Sequence, residues 1–271
     1  MLRSPRPVLW LVVAALDWGL VAQASAAGAP AGGGRRELTT DRPDATESPF
    51  TVEPGRVQVE LDAVSYSRDR AGGVRTTEWT IAPWNLRYGL AGSVEAGIVV
   101  VPHVRRTETG PAGDRQTARG VGDTTLRLKW NGAGNDGGPL AYGVITEIKL
   151  PTAADGIGND KVEGAVTLPV AFDIGAGWDG AGMTGIEWVH TGTARRAVWF
   201  NTLTVARELA ADWSAFFELT SAAGDGPHVA TFNTGVTRRL GPNLQLDGGV
   251  FWGISRAAPD LTLFAGLSRR F

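Results

Sequence analysis

The 271-residue chain has no cysteine, which excludes a disulfide scaffold, a thiolate metal site, haem attachment through C-x-x-C-H and thiol catalysis. It has almost no net charge. Its 26 Lys and Arg against 28 Asp and Glu leave a formal −2, so there is no electrostatic footprint for a nucleic-acid backbone. Histidine is scarce, and His103, His190 and His228 stand apart, without the H-x-H or H-E-x-x-H spacing of a zinc site. No G-x-S-x-G elbow is present. The G-V-G-D run at 120–123 leads into an alternating segment rather than a helix and lacks the Lys-Ser/Thr of a phosphate loop. Asp155, Asn159 and Asp160 miss the EF-hand spacing and read as a solvated turn. No catalytic residues, metal site or cofactor site are legible, and the chain reads as a non-enzyme.

Long hydrophobic runs are missing too, with one exception at the start. Arg3 and Arg6 precede V-L-W-L-V-V-A-A-L at 8–16, and Ala22, Ala24, Ser25 and Ala26 offer small-residue cleavage sites. This is a signal peptide over 1–26, cut after Ala26, because Asp17 interrupts a run already short of the roughly 20 residues of a spanning helix. The exported chain has no second apolar helix. With 37 glycines it does not suit a helical bundle either.

What the chain does have is period-two alternation. Thr124, Leu126, Leu128 and Trp130 share one face against Thr125, Arg127 and Lys129. Leu140, Tyr142, Val144, Thr146, Ile148 and Leu150 do so against Glu147 and Lys149, and Val162, Val166, Leu168, Val170, Phe172 and Ile174 against Glu163, Thr167 and Asp173. Each segment is around a dozen residues, enough for the 9–11 that a tilted strand needs to cross hydrocarbon. Continued along the chain, the pattern predicts twelve strands, at about 56–67, 74–88, 94–105, 121–131, 139–151, 162–175, 181–192, 197–209, 212–221, 228–240, 243–254 and 260–271. The fold class is therefore all-β: a single antiparallel up-and-down transmembrane β-barrel over 56–271. The segments at 181–192 and 197–209 alternate poorly, so ten or fourteen strands remain open. Residues 27–55 form an N-terminal periplasmic segment. Its charged, proline-containing part, 37–52, lies beneath the barrel, inside it as a plug, or free as a tail.

With the N-terminus on the periplasmic side, the long connections 106–120 and 152–160 fall outside. Tyr88, Trp130, Tyr142, Trp178, Trp213 and Phe271 then gather at inner strand ends, and Tyr66, Trp199 and Trp252 at outer ends, as two interfacial girdles do. Pro83, Pro102 and Pro169 fall inside strands, where bulges are expected to accommodate them.

T-D-R-P-D-A-T-E-S-P-F-T-V-E-P-G-R-V-Q-V-E at 40–60, P-W-N-L-R-Y-G-L at 83–90, G-V-G-D-T-T-L-R-L-K-W at 120–130 and the last 28 residues, from Leu244 to Phe271, together resemble the outer-membrane transporter family known for the MetA pathway of phenol degradation. The resemblance covers nearly the whole mature chain. It implies a closed outer-membrane barrel with a transport role, aromatic or other apolar compounds being the candidate solutes, and it carries over no catalytic residue.

The C-terminus fits that placement. Leu263, Ala265, Leu267 and Phe271 share a parity and form the expected assembly signal for the barrel-assembly machinery, with Arg269 breaking the row. By parity the lumen is lined by Glu60, Asp62, Glu95, Arg127, Lys129, Glu147, Lys149, Glu163, Asp173, Glu187, Glu218 and Asp247, and Arg75, Arg87 and Arg270 also face inward. The expected partners are outer-membrane lipids and a small solute, not nucleic acid. The function expected is an outer-membrane channel or facilitator. Two alternatives stay open: a non-transport barrel that is structural or binds through its outer loops, and an exported soluble barrel of lipocalin type.

Overall fold

Each alternating segment has one apolar face, and a closed sheet lets all of them point outward while every backbone N–H and C=O finds a neighbour. The computed structural model of the protein describes residues 20–21, 36–192 and 194–271 and has no helix among them. The expected signal peptide lies outside the described residues, save the backbone of a two-residue strand, β1 (Leu20–Val21), paired with β2 (Thr40–Asp44).

The remaining strands form the wall. They are β3 (Val57–Ala71), β4 (Val74–Ile81), β5 (Trp84–Ala91), β6 (Val94–Val100), β7 (His103–Thr109), β8 (Arg115–Gly120), β9 (Thr124–Ala133), β10 (Leu140–Leu150), β11 (Glu163–Gly175) and β12 (Trp178–Thr191). β13 (Ala194–Ala210), β14 (Trp213–Gly224), β15 (Gly226–Arg239), β16 (Leu244–Gly253) and β17 (Leu261–Arg270) complete it. β4–β5, β6–β7 and β8–β9 are each one crossing broken in the middle, so the wall has twelve crossings. All pairings are antiparallel, and β17 closes the barrel on β3 from Leu261↔Arg68 to Arg270↔Gln58.

The breaks have a common cause and a common level. Ala63 is an extra residue opposite the Ala265/Gly266 step, Ala82 takes a left-handed φ of 53° before Pro83, and Pro102 follows Val101 between β6 and β7. A one-residue insertion exchanges the faces of everything beyond it. On β3 the buried set accordingly changes from Gln58, Glu60 and Asp62 to Ser65 and Asp69. Across the next crossing, Asn85 and Arg87 are buried below the break and Thr76 above it. Arg75 therefore lies exposed on the outer face, not in the lumen where uninterrupted parity puts it.

Pro169 behaves differently from the bulge expected. The β10–β11 ladder stops at Tyr142↔Val170 and resumes at Ile145↔Thr167 with equal residues on both sides, while Pro169 stays in register with Met183 on β12. The Tyr142 carbonyl accepts a hydrogen bond from Asn131 Nδ2 at 3.4 Å. The outer loop expected at 106–120 is also mostly strand, since β7 and β8 pair up to Thr109↔Arg115. That hairpin is polar on both faces, so hydropathy carries no trace of it.

The outward face is apolar at mid-height, with Leu126, Leu168, Leu203, Leu219 and Leu263 exposed. Tyr88, Trp130, Tyr142, Trp213 and Phe271 ring the inner end; Trp79, Trp199 and Trp252 ring the outer end. At the inner ring the guanidinium groups of Arg207, Arg238 and Arg269 lie over Trp178, Trp213 and Phe271, at 5.1, 5.3 and 5.0 Å. Arg269 thus does not interrupt the aromatic edge; it covers it. Leu263, Ala265 and Phe271 point outward and Leu267 is half-buried.

Candidate functional site: the barrel lumen

A second strip of chain occupies the inner half of the lumen. Residues 36–53 enter at the inner end, where Arg36 donates to the Gly92 carbonyl at 3.0 Å and pairs with Asp136 at 2.7 Å. They rise to a tip at 45–47, where Thr46 Oγ1 meets Thr202 Oγ1 at 2.7 Å, and return to Val52, whose N–H donates to Glu95 at 2.7 Å. Residues 40 to 49 are all buried.

Charge fixes this strip, and each cation serves more than one acid. Arg87, almost fully enclosed, pairs with Asp41 at 2.8 Å, Glu60 at 2.7 Å and Glu95 at 2.7 Å, and donates to the Phe50 carbonyl at 3.0 Å. Arg42 bridges Asp62 at 2.5 Å and Asp247 at 2.6 Å. Arg127 joins Glu47 to Glu147, the latter at 2.6 Å, and Lys129 reaches Asp41 at 2.5 Å. Glu218 accepts from the Ala45 N–H at 2.9 Å, Thr46 Oγ1 at 2.6 Å and Asn233 Nδ2 at 2.6 Å. Buried charges persist only when paired in this way. Asp44, fully enclosed beside Glu218, is the exception in the strip: it pairs with no cation among the described residues, and the neighbouring Thr204 hydroxyl lies within 3.3 Å of the Phe217 carbonyl as well.

The outer half is different in kind. Met183 and Val189 on β12, Val198 and Phe200 on β13, Ala222 on β14 and Val229 on β15 are buried inward-facing apolar residues, and Ala258 of the loop 254–260 packs on them from above. The floor of this region is the strip's tip, where the Glu47 N–H points at Met183 Sδ at 3.2 Å. Beside it runs a polar wall: Lys149 pairs with Asp123 at 3.0 Å and Glu163 at 2.9 Å, and Asn159 of the loop 151–162 donates to Glu163 at 2.7 Å. A small recess of about 20 Å³ lies at the outer mouth, lined by Val189, Arg196, Val198, Ala222, Asp225 and Val229 among others.

Of the lumen candidates, Glu60, Asp62, Glu95, Arg127, Lys129, Glu218 and Asp247 come together around the strip, and Lys149 and Glu163 meet at the outer mouth. Glu147 is half-buried between the two groups, and Glu187 is buried among the apolar residues. Asp173 departs from the set: it sits exposed at the inner rim and accepts from the Gly175 N–H at 2.6 Å, capping a turn. Asp41, Arg42, Asp44 and Glu47 were not distinguished by alternation, because they belong to the strip and not to a wall strand. On the outer wall His228 Nε2 lies 2.9 Å from Ser221 Oγ, an exposed pair with no third group bonded to the imidazole among the described residues.

The family described as "Putative MetA-pathway of phenol degradation" matches over residues 40–271, which takes in the lumenal strip as well as the wall. Among solved structures, the COG4313 outer membrane channel from Pseudomonas putida F1 is similar, at TM-score 0.63 and 15% identity over 86% of this chain and 100% of that one. The beta domain of the Bordetella autotransporter BrkA matches at TM-score 0.54 and 13% identity, covering 79% and 98% of the two chains. The NanC porin matches at TM-score 0.51 and 9% identity, covering 77% and 98%. No curated protein matches the chain. These structures share the barrel with this chain, and the fold alone does not choose between a channel and a translocator.

Proposed function

The chain belongs to the family just described, and from that premise we propose that it is an outer-membrane channel for small, largely apolar solutes, in which residues 36–53 are a lumenal plug. On this reading the chain is exported by its signal peptide, inserted by the barrel-assembly machinery with the strip on the periplasmic side, and catalyses no reaction. The observation that carries it is the apolar inner face of the outer half-lumen. A barrel built only for mechanical closure is stabilised by polar or ion-paired filling, as in the inner half here. Apolar side chains turned toward the lumen of a membrane barrel suit a passenger that is itself apolar. Twelve strands also enclose more space than the eight whose side chains fill a barrel by themselves.

The test is conductance and flux in one preparation. Purified barrel, shown folded by its heat-modifiable gel mobility, is placed in planar bilayers and in proteoliposomes. The wild type is expected to give small, infrequent steps, and deletion of residues 36–53 larger and longer ones. Folded protein that neither conducts nor passes labelled aromatic solute, with or without the strip, refutes the channel reading in favour of a structural barrel.

A further inference from the structure

We propose that the outward face of β3, β4, β7 and β8, from the outer aromatic ring upward, binds the phosphate groups of a phosphorylated glycolipid in the outer leaflet. The inference rests on the membrane orientation given above, with the strip on the periplasmic side, and is independent of what the lumen passes.

Residues directly opposite one another on neighbouring strands share a face, and the register sets this face out in three rows. In the first, Tyr66 on β3 stands opposite Trp79 on β4, Trp79 opposite Arg105 on β7, and Arg105 opposite Arg119 on β8. The Tyr66 and Trp79 rings touch, 4.7 Å between centroids, and Trp79 is exposed in the outer ring, so this row marks the edge of the hydrocarbon. Two residues further out, Arg68 is in line with Thr77, Thr107 and Thr117. Two further again, Arg70, Arg75, Thr109 and Arg115 are in line. The arginines thus share a patch about 13 Å from first row to third and about 14 Å across the four strands.

Its charge is all of one sign. Every arginine of the three rows except Arg68 is exposed, and none forms an ion pair among the described residues. No Asp or Glu stands in these rows. The acids of the same strands, Asp69, Glu78 and Glu108, fall on the inward face, where Glu78 pairs with Arg106 at 2.7 Å. Asp114, in the hairpin tip, lies against Gly110 and pairs with none of the arginines. Like charges directly opposed destabilise a sheet, and Arg105↔Arg119 and Arg70↔Arg75 are both directly opposed. A face that only met water would lose nothing by mixing signs, as the inward face of these strands does.

The occupant follows from level and chemistry. Below the first row the same face turns Ile81 to the lipid, so what covers the rows above it lies in the leaflet with its anionic groups at headgroup height. Guanidinium forks match phosphate oxygens two at a time. Between them the Thr107 and Thr117 hydroxyls, 3.1 Å apart, offer further donors to phosphate or sugar oxygens. A zwitterionic phospholipid brings its own cation to each phosphate and has less to gain from the patch. A phosphorylated glycolipid brings none, and one molecule can present two phosphates to neighbouring rows.

The experiment counts lipid A bound to folded full-length barrel in detergent by native mass spectrometry, comparing the bis-phosphorylated form with the dephosphorylated one. Wild type is expected to prefer the phosphorylated form about tenfold or more, the scale of a few arginines at an anionic surface. Arg105→Gln with Arg119→Gln should remove most of that preference, and Arg105→Lys with Arg119→Lys, which keeps the charge but not the fork, should retain part of it. Arg207→Gln, which takes a guanidinium from the inner ring, should leave it unchanged. Gel mobility verifies each fold, and Arg75→Gln with Arg115→Gln carries the test if the first pair does not assemble. Equal binding of the two lipids to wild type overturns the proposal, as does a preference that survives both outer pairs or falls as far in Arg207→Gln. Because the chain has no cysteine, Ala112→Cys in the hairpin tip and Ala211→Cys in the inner turn report orientation on intact cells, using a maleimide polymer too large to cross the outer membrane. Labelling at 112 without a lipid preference overturns the docking face and leaves the orientation standing, whereas labelling at 211 instead overturns both.

Discussion

Replacing Arg87 by methionine tests what holds the strip in the lumen. Methionine keeps the side-chain length and removes the charge. Asp41 would retain Lys129 at 2.5 Å, Glu60 would retain the Asp41 N–H at 2.9 Å, and Glu95 would retain the Val52 N–H at 2.7 Å. Three buried carboxylates would then be left with Lys129 and, 3.5 Å from Asp41, Arg127 as their close cations. Removing one partner from a buried ion pair costs about 3–5 kcal/mol, because the other charge stays behind. Arg36→Gln is the control: its partner Asp136 is largely solvent-exposed, and such a pair contributes at most about 1 kcal/mol. The readouts are a urea titration in lipid vesicles and cleavage after Glu47 by a glutamate-specific protease, a bond buried in the intact barrel. Arg87→Met is expected to lower stability by several kcal/mol and expose that bond. Adding Glu60→Gln and Glu95→Gln should recover most of the loss. If Arg87→Met and Arg36→Gln behave alike, with Glu47 equally protected in both, the ion pairs are not what seats the strip.

Other consequences are simpler to read. Leu203 lies on the lipid face of β13 midway between Trp199 and Arg207, which faces Trp178, so Leu203→Arg should cost roughly 2–4 kcal/mol in vesicle folding equilibria, against about 1 kcal/mol or less for Leu209→Arg near the inner end. Asp44→Asn removes an enclosed carboxyl that faces Glu218 and pairs with no cation among the described residues, and should raise the unfolding free energy by about 1–3 kcal/mol; a loss of stability would show that the contacts of the carboxyl outweigh the cost of enclosing it. Buried acids outnumber buried bases in the lumen, so low-salt recordings should show mild cation preference. Glu147→Gln with Glu163→Gln removes two acids while Arg127 keeps Glu47 and Lys149 keeps Asp123, and should weaken that preference, an unchanged reversal potential being the contrary result.

The places where alternation informed and misled have the same origin. It marked β9, β10 and β11 because their lumen faces carry Arg127, Lys129, Glu147, Lys149 and Glu163, polar groups that contrast with leucines outside. It faded over β12 and β13, and the structure shows why: Met183, Val189, Val198 and Phe200 make the lumen face apolar as well, so both parities read alike. Weak alternation inside an otherwise alternating barrel was therefore the signal for the apolar half-lumen. The reversed faces of β4 and β7 were hidden by Ala82 and Pro102, since one inserted residue inverts parity without changing composition. The strip was marked only by its charge and prolines, and pairing between Arg42 and Asp247, 205 positions apart, leaves no local pattern.

The division of the lumen also bears on whether the strip can leave it. When a segment withdraws, each face it covered meets water, and the cost depends on what those faces are. An apolar seat would expose surface at about 25 cal/mol per Å² and favour collapse of the wall or return of the plug. Here the seat is Glu60, Asp62, Glu95, Arg127, Lys129, Glu218 and Asp247, and the strip brings Asp41, Arg42 and Glu47 to it. Apart from Phe50, which packs on Ala141, Ala171 and Ala181, both faces are chiefly ones that water solvates well. Hydration on withdrawal returns much of the desolvation cost these charges bear when enclosed, so the net hold is far smaller than the sum of the ion pairs. The cluster of Met183, Val189, Val198, Phe200, Ala222 and Val229 lies beyond the tip, under Ala258, and meets the strip at Met183. A polar, ion-paired seat in the inner half and an apolar face in the outer half therefore suit a plug that moves in water and a passenger that does not favour it.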